Sequence, residues 1–228
     1  MDNWVSFRGV KTSSLGVYIA DMPAHKKAAQ RCTEYEIPGR DGAVTIFDGY
    51  SPFDMPLTLV MLSATADMRQ KINAWADGAG KLITSDQPGL FWQASVQEEI
   101  TFSRHEYGGK FFDTAEVVFR CQPIMRQTQE TAQVFTASGA IHNNGNVIAF
   151  PLIVITGTGD VSCTIAGSAL SFTGLTKPVT IDCETGYVYT ADGAAVMSGA
   201  IPSLPLGDSQ IDIGTATKIE ITPHWGWL

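Results

Sequence analysis

The stretch that most constrains the fold is His142 to Gly157, HNNGNVIAFPLIVITG, where a turn-rich opening leads through a proline into an apolar run. Asn and Gly tolerate the positive φ angles of tight turns, so Asn143 to Asn146 predicts a turn. Pro151 has no N–H for a sheet ladder and suits the first residue of a strand. Leu152 to Ile155 is apolar on both faces, so we expect it to be the first core strand of a second domain.

Composition favours short strands and turns over long helices. The 228 residues are 44% hydrophobic and 17% charged, with 22 Gly and 11 Pro, and they suffice for two modest domains. The formal net charge is −8, and residues 131–228 carry Lys177 and Lys218 against seven acidic residues. Nucleic-acid and anionic-membrane binders need clustered Lys and Arg, so neither class is expected. No secretory signal and no apolar run of about 18 residues is seen, so no membrane partner is predicted.

Residues 1–130 predict a β-rich α+β domain with one clear helix. Thr65 is placed to cap that helix, and Met68, Ile72 and Trp75 would form its apolar stripe. A hairpin turn is expected at Gly108-Gly109. The strand that follows would carry Ala115, Val117, Phe119 and Cys121 on one face and end at Gln122-Pro123.

Residues 131–228 predict a β-sandwich, because short apolar strands separated by Gly, Asp or Pro recur after Gly157. The cysteines, Cys32, Cys121, Cys163 and Cys183, are widely spaced without a C-x-x-C pair, so no zinc site is expected. Cys163 and Cys183 could approach each other across a sheet, but buried free thiols are the preferred interpretation.

A tight turn between two strands is predicted at Pro38 to Gly42, the sequence PGRDG. Arg40 and Asp41 would lie at its tip. Two interpretations stay open for this pair, either solvated turn residues or an ion pair of an interface or a catalytic site.

No enzyme site, metal site or cofactor site is predicted. Gly157-Thr158-Gly159 is followed by a strand pattern instead of a helix, which excludes a dinucleotide fingerprint. Glycoside hydrolysis needs two acids facing each other across a cleft. Glu98 and Glu99 would point to opposite faces of a strand, and Asp182 and Glu184 are interpreted as solvated edge acids.

Taken in order, these segments resemble the distal tail proteins of long-tailed phages. The matching segments are the opening strand with its Gly-Val, the Pro38–Gly42 turn, Ala74-Trp75 before Gly80-Lys81-Leu82, Phe119–Pro123, the stretch 143–160 that ends in Gly-x-Gly-Asp, GAIPSLPLGD at 199–208, and Lys218–Pro223 with Trp225 and Trp227. Each motif is weak alone. Their joint order across nearly the whole chain carries the resemblance.

The resemblance implies a structural virion protein, with residues 1–130 as a ring-forming belt domain and residues 131–228 as a galectin-like β-sandwich. Family members form a homo-hexameric ring that joins the tail tube protein to the tail-associated hub protein, often with receptor-binding or accessory proteins. DNA passes through the ring without specific binding. The implied location is the phage tail tip, after assembly in the host cytoplasm.

On this basis Pro38, Gly39, Arg40, Asp41 and Gly42 are predicted to contribute to the ring interface. The competing hypothesis is a carbohydrate-binding host-recognition module. Such a site needs an aromatic platform with polar side chains on one sheet face, whereas Trp225 and Trp227 lie at the end of the chain, where packing or interface contact is expected.

Overall fold

The computed structural model describes residues 3–62 and 65–228. The chain divides into two compact units, one ending at Met125 and one running from Arg126 to Trp227. Strands dominate both units, and α1, Ala66–Trp75, is the α-helix found in the described residues. The predicted β-rich fold class is therefore confirmed.

The first unit is built on one sheet, a helix and a separate hairpin. Its strands are β1 Val5–Phe7, β2 Val10–Lys11, β3 Tyr18–Ile19, β4 Gln30–Glu36, β5 Ala43–Tyr50, β6 Phe53–Met61, β7 Ala79–Thr84, β8 Leu90–Val96, β9 Thr101–Tyr107 and β10 Lys110–Gln127, and Thr12–Leu15 forms a 3-10 turn. The sheet order is β2-β1-β7-β8-β10-β6-β3, with β9 also paired to β10, while β4 and β5 pair with each other.

The antiparallel pairing of β6 with β10 forms the centre of this sheet. Its register runs from Asp113 opposite Met61 to Cys121 opposite Phe53. Alternate residues of both strands point into the core and are buried: Met55, Leu57, Leu59 and Met61 on β6, and Ala115, Val117, Phe119 and Cys121 on β10. The predicted shared face of β10 is therefore confirmed.

The prediction that Gln122-Pro123 ends this strand is wrong, because β10 continues to Gln127. The pairing with β6 stops at Cys121. Pro123 lies beyond the last residue that pairs with β6, so its missing N–H removes no hydrogen bond between these two strands.

Helix α1 begins and packs as the sequence predicts. The hydroxyl of Thr65 accepts a hydrogen bond of 3.2 Å from the backbone N–H of Met68, which satisfies one of the free donors of the first turn. Ile72 and Trp75 are buried on the sheet side. The apolar stripe at these positions therefore fixes which side of the helix faces the core.

Trp75 anchors the helix to the sheet. Its indole N–H donates to the carbonyl of Val10 at 3.0 Å. Its ring meets Phe7 and Phe119 edge-on, with centroids 6.1 and 5.8 Å apart. Edge-on aromatic pairs stabilise a core beyond the area they bury, so this side chain joins α1 to β1, β2 and β10.

The second unit is a sandwich of two sheets. Its strands are β11 Gln133–Phe135, β12 Gly139–Asn143, β13 Leu152–Thr156, β14 Gly159–Ile165, β15 Ser168–Leu175, β16 Val179–Asp182, β17 Tyr187–Thr190, β18 Gly193–Ala194, β19 Gly207–Asp212, β20 Lys218–Thr222 and β21 Gly226–Trp227. One sheet has the order β11-β20-β13-β16-β17-β18 and the other β12-β19-β14-β15. Inward side chains of both sheets form one core that also includes Trp225.

Strand β13 lies inside its sheet, between β16 and β20, as its apolar sequence predicts. Ile153 and Ile155 are fully buried. The expectation that it is the first core strand of this unit is wrong, because β12 precedes it and Ile141 on β12 is buried in the same core. The polar residues around β11 and β12 leave too little apolar periodicity to show two short strands.

Asn143 holds the turn at the start of the His142–Gly157 stretch. Its side chain is buried, and the Nδ2 group donates to the carbonyls of Val147 at 3.0 Å, Leu204 at 3.1 Å and Pro205 at 3.3 Å. Its Oδ1 accepts from the backbone N–H of Gly145 at 2.8 Å. One amide therefore fastens the 143–147 turn to the 204–205 segment, far away in sequence.

Gly145 is needed for a different reason. A Cβ at this position would collide with the carbonyl oxygen of Gly226. That same oxygen accepts a hydrogen bond of 3.0 Å from the backbone N–H of Asn146. The Asn-x-Gly-Asn pattern thus provides two features: the hydrogen bonds of the Asn143 side-chain amide, and the close approach of the Gly145 backbone to Gly226.

We predict that Asn143→Ala destabilises the second unit by about 3 kcal/mol, because buried carbonyls and an N–H lose their partner. Urea unfolding of the full chain, read by hydrogen exchange of peptides from residues 139–155, measures the change. Asn144→Ala is the matched control, since Asn144 is exposed on the same turn. Equal stability of the two variants would show that the hydrogen bonds of the Asn143 side chain do not stabilise the second unit.

Candidate assembly surface

The hairpin of β4 and β5 projects from the first unit. Every residue of β4 is exposed, and no other strand of the described residues pairs with either member. Seven residues of strand at about 3.4 Å each make β4 about 24 Å long. At the base, Ser51 donates to the carbonyl of Ala29 at 2.8 Å, and Ala28 is buried. We call residues 30–50 the arm.

The two faces of the arm differ in character. Tyr35 lies opposite Val44 and Thr33 opposite Ile46, so these side chains share one face, which Ile37 extends. Tyr35, Ile37 and Ile46 are 46 to 55% exposed. The arm therefore presents an apolar face to solvent.

The opposite face carries acidic residues. Glu34 lies opposite Thr45 and Glu36 opposite Ala43, next to the pair of Cys32 and Phe47. The side chains of Glu34 and Glu36 are exposed. One hairpin thus has an apolar face and a second face, called the acidic face below, on which Phe47 is also 53% exposed.

Local contacts stiffen the base of the arm without covering its apolar face. The guanidinium of Arg31 donates to the carbonyl of Asp48 at 3.1 Å, and the hydroxyl of Thr33 donates to the Asp48 carboxylate. Phe47 and Tyr50 meet edge-on at 5.2 Å. An isolated two-stranded hairpin is only marginally stable in water, so a partner that covers the apolar face would stabilise the arm.

The residues predicted for the interface form the turn at the tip of the arm. Gly39 and Gly42 have φ angles of 82° and 79°, which explains why glycines stand there. The backbone N–H of Arg40 donates to the carbonyl of Ile37 at 3.1 Å and closes the turn. Arg40 and Asp41 are both exposed, and no ion pair between them is found in the described part of the chain.

A buried charge fixes a second hairpin, formed by β9 and β10. Asp113 is 1% exposed. It accepts a hydrogen bond from Arg104 of β9 at 3.0 Å and another from Arg69 of helix α1. The guanidinium of Arg69 also lies 5.8 Å from the ring centroid of Phe102. One carboxylate therefore joins helix α1, β9 and β10.

The two arginines determine the ionisation of Asp113. Their hydrogen bonds hold its pKa below the ordinary value of 3.8, although burial acts in the opposite direction. An unpaired carboxylate at this depth would be strongly destabilising, so the ion pairs are required by the burial.

The acids considered for hydrolysis are held in structural roles. Oδ1 of Asp182 accepts from the backbone N–H groups of Glu184 at 3.0 Å and Thr185 at 3.2 Å, which caps a turn. Glu184 forms an ion pair of 2.7 Å with Arg126. Both carboxylates therefore have local structural partners, whereas glycoside hydrolysis requires two acids that face each other across a cleft.

Within residues 3–62 and 65–228, no group of three His, Cys, Asp or Glu side chains converges as a metal site would require. No helix in these ranges has the length and apolarity to cross a bilayer. The cysteines are free, with Cys163 and Cys183 buried as the sequence predicts and Cys32 exposed on the arm.

These features define a class of protein, a β-rich chain of two units with a projecting arm. The same fold is found in a solved phage protein. The chain matches the crystal structure of SPP1 Dit (gp 19.1), described as a paradigm of the hub adsorption apparatus in phages that infect Gram-positive hosts. The TM-score is 0.78, with 100% of both chains covered and 15% identity. The resemblance seen in the sequence is therefore confirmed at the level of fold.

Two other structures give weaker matches. Chains from the phage p2 baseplate in its activated conformation, one determined with Sr and one with Ca, have TM-scores of 0.47 and 0.43 at 8% identity. They cover 97% of this chain and 97% and 98% of their own lengths. Similarities of this size do not establish a shared fold. No family model and no curated protein matches the sequence.

We predict that acid weakens the first unit partly through Asp113. Because its folded pKa is depressed, its stabilising contribution is complete above 3.8 and is lost as the pH falls below that value towards the folded pKa. Urea midpoints measured between pH 7 and about pH 2.5 should fall less steeply for Asp113→Asn than for the native chain. Asp54→Asn, which alters an exposed ion pair with Arg120, is the control and should keep the native slope.

Proposed function

We propose that this chain is a distal tail protein of a long-tailed phage, a structural component of the virion at the tip of a non-contractile tail. Its first unit forms a homo-hexameric ring. The ring connects the tail tube protein to the tail-associated hub protein and the adsorption apparatus, to which receptor-binding or accessory proteins attach. The whole-length match to the SPP1 Dit fold supports this proposal.

The observation that carries the assembly role is the arm. An exposed apolar face on a hairpin with no other paired strand in the described residues is a surface to be covered by protein. The tip residues Pro38 to Gly42 are proposed to take part in the ring contacts, because they form the exposed turn at the end of the arm. The function consists of geometry and interfaces, with no bond chemistry.

The charge of the chain suits a ring through which DNA passes without specific binding. The net charge is −8, and residues 131–228 contribute two basic residues against seven acidic ones. DNA affinity rises with each phosphate neutralised by Lys or Arg, so an acidic protein holds DNA weakly. The proposed chain therefore guides DNA by shape. It reaches the tail tip after assembly in the host cytoplasm.

The first test is electron microscopy of the concentrated protein together with its mass in solution. Six chains of 24.5 kDa give about 147 kDa. Six-fold rings with a central opening support the proposal. A mass of 24.5 kDa at every concentration, alone and with the tail tube and hub proteins present, contradicts it.

We predict that Tyr35→Glu with Ile46→Glu abolishes ring assembly, because two charges on the apolar face would be buried in the contact at a cost of several kcal/mol. Sedimentation of the variant should show monomers where the native chain forms rings. Thr45→Glu adds a charge to the acidic face of the same hairpin and should leave assembly unchanged.

Reversing both tip charges, Arg40→Glu with Asp41→Arg, should weaken the ring about tenfold, and an unaltered ring would exclude the tip from the contact.

A second candidate function, glycan binding by the sandwich, is favoured by one observation. Tyr187 and Tyr189 stack on β17, with centroids 5.4 Å apart and planes at 24°, and Tyr187 is 54% exposed. Thr180 and Asp182 lie directly opposite on β16. This places two aromatic rings and two polar side chains on one sheet face.

We predict that, if this face binds sugar, Tyr187→Ala weakens binding of the full chain to a glycan array at least tenfold, because a stacking surface is lost. Tyr107→Ala removes an exposed tyrosine from the first unit and is the control. A native chain that binds no glycan at millimolar concentration rejects this candidate and leaves the ring proposal intact.

A further inference from the structure

The turn at residues 143–146 carries a reactive dipeptide. Asn144-Gly145 is the one Asn-Gly pair in the sequence. In such a pair the backbone nitrogen of glycine attacks the side-chain amide carbon of asparagine, because glycine has no side chain to obstruct it. A C–N bond forms and closes a succinimide ring, and the side-chain nitrogen leaves as ammonia with the proton of the glycine N–H. Water then cleaves one of the two ring C–N bonds, which gives aspartate or isoaspartate.

Asn144 is the asparagine at which this reaction is most favoured. Its side chain is exposed on the surface of the second unit, whereas the neighbouring Asn143 is buried. The other four asparagines are followed by Trp, Ala, Asn and Val, whose side chains hinder the attacking nitrogen. Both the sequence and the exposure therefore direct deamidation to Asn144.

The fold restrains the attacking nitrogen. The backbone N–H of Gly145 donates to Oδ1 of Asn143 at 2.8 Å. The same side chain donates through Nδ2 to the carbonyls of Leu204 and Pro205 at 3.1 and 3.3 Å, so the acceptor is itself held in place. Attack on Asn144 requires this hydrogen bond to break, since the nitrogen must lose its proton and turn towards the Asn144 side chain. A backbone N–H held in this way becomes available only through local opening.

The far side of Gly145 is also held, and the product of the reaction does not fit there. The N–H of Asn146 donates to the carbonyl of Gly226 at 3.0 Å, and a Cβ on Gly145 would collide with that carbonyl oxygen. Isoaspartate at position 144 adds a methylene group to the main chain directly before Gly145. The added length is expected to separate this turn from Gly226 and from β21.

We infer that Asn144 is a deamidation site, and that the side chain of Asn143 protects it in the folded chain by holding the N–H of Gly145. Asn143 thus has a chemical role in addition to joining the turn to the 204–205 segment. The inference concerns the second unit alone and does not depend on the proposed ring.

Peptide mass spectrometry of the full chain tests the inference. The native chain and Asn143→Ala are incubated in a mildly alkaline buffer, and the native chain also in guanidinium chloride. Conversion of Asn144 is followed with time, and fragmentation distinguishes isoaspartate from aspartate. The native chain should convert at least about tenfold more slowly in buffer than in the denaturant, and Asn143→Ala in buffer should convert about tenfold faster than the native chain.

Two further variants make the result specific. Asn143→Ala also destabilises the second unit, so Ile155→Ala serves as the stability-matched control. It removes a fully buried side chain from the same core and leaves the bond between Asn143 and Gly145 in place. This control should deamidate at the native rate. Asn144→Gln should abolish conversion at position 144, because its longer side chain forms the corresponding larger ring far more slowly.

Three outcomes overturn the inference. Equal acceleration by Asn143→Ala and Ile155→Ala would assign the protection to the stability of the unit instead of to this hydrogen bond. Equal rates for the native chain in buffer and in denaturant would show that the fold gives no protection. Absence of conversion in denaturant would show that Asn144 is not a deamidation site.

Hydrogen exchange gives a readout that needs no substitution. In the native chain, NMR should show the Gly145 N–H exchanging at least about tenfold more slowly than in the denatured chain. Anion exchange then isolates the deamidated chain by its added negative charge, and peptides covering residues 222–228 should exchange faster in it than in the native chain. Rapid exchange of the native Gly145 N–H, or unchanged exchange at 222–228 after deamidation, would contradict the proposed restraint.

Discussion

The first unit depends on the antiparallel pairing of β6 with β10. This ladder spans Asp113 to Cys121, and its inward side chains form the surface on which Trp75 anchors helix α1. At one end of it Asp113 binds Arg69 and Arg104, which fixes the β9–β10 hairpin. At the other end β6 begins three residues after the arm ends at Tyr50. A rigid sheet thus holds an arm that has no core of its own.

The sequence predicts best those elements whose partners lie nearby. The cap at Thr65, the apolar stripe of α1 and the alternating face of β10 depend on local spacing, and all three are confirmed. The predicted end of β10 is wrong. Whether Pro123 breaks a strand depends on where the pairing with β6 stops, and that cannot be inferred from the residues around Pro123 alone. The turn at Pro38 to Gly42 is found where the sequence predicts it, because its glycines mark the positions with positive φ.

The projection of the arm was beyond prediction. The arm has the alternating pattern of any half-buried strand, with Tyr35, Ile37, Val44 and Ile46 as its apolar positions. This pattern predicts that one face is covered, but it does not show whether the same chain or another protein covers it. The same limit applies to Asn143, whose turn was predicted although its bonds to Leu204 and Pro205 were not. A residue's distant partners become visible only once the fold brings them together.

The exposed apolar face of the arm would couple the order of the arm to association. Tyr35, Ile37 and Ile46 stay exposed in their own unit, and a two-stranded hairpin without a core is only marginally stable in water. Because the hydrophobic contribution grows with the apolar area removed from water, any contact that covers this face stabilises the arm and the assembly together. In the proposed ring, ordering of the arm and association of the copies are therefore expected to occur together.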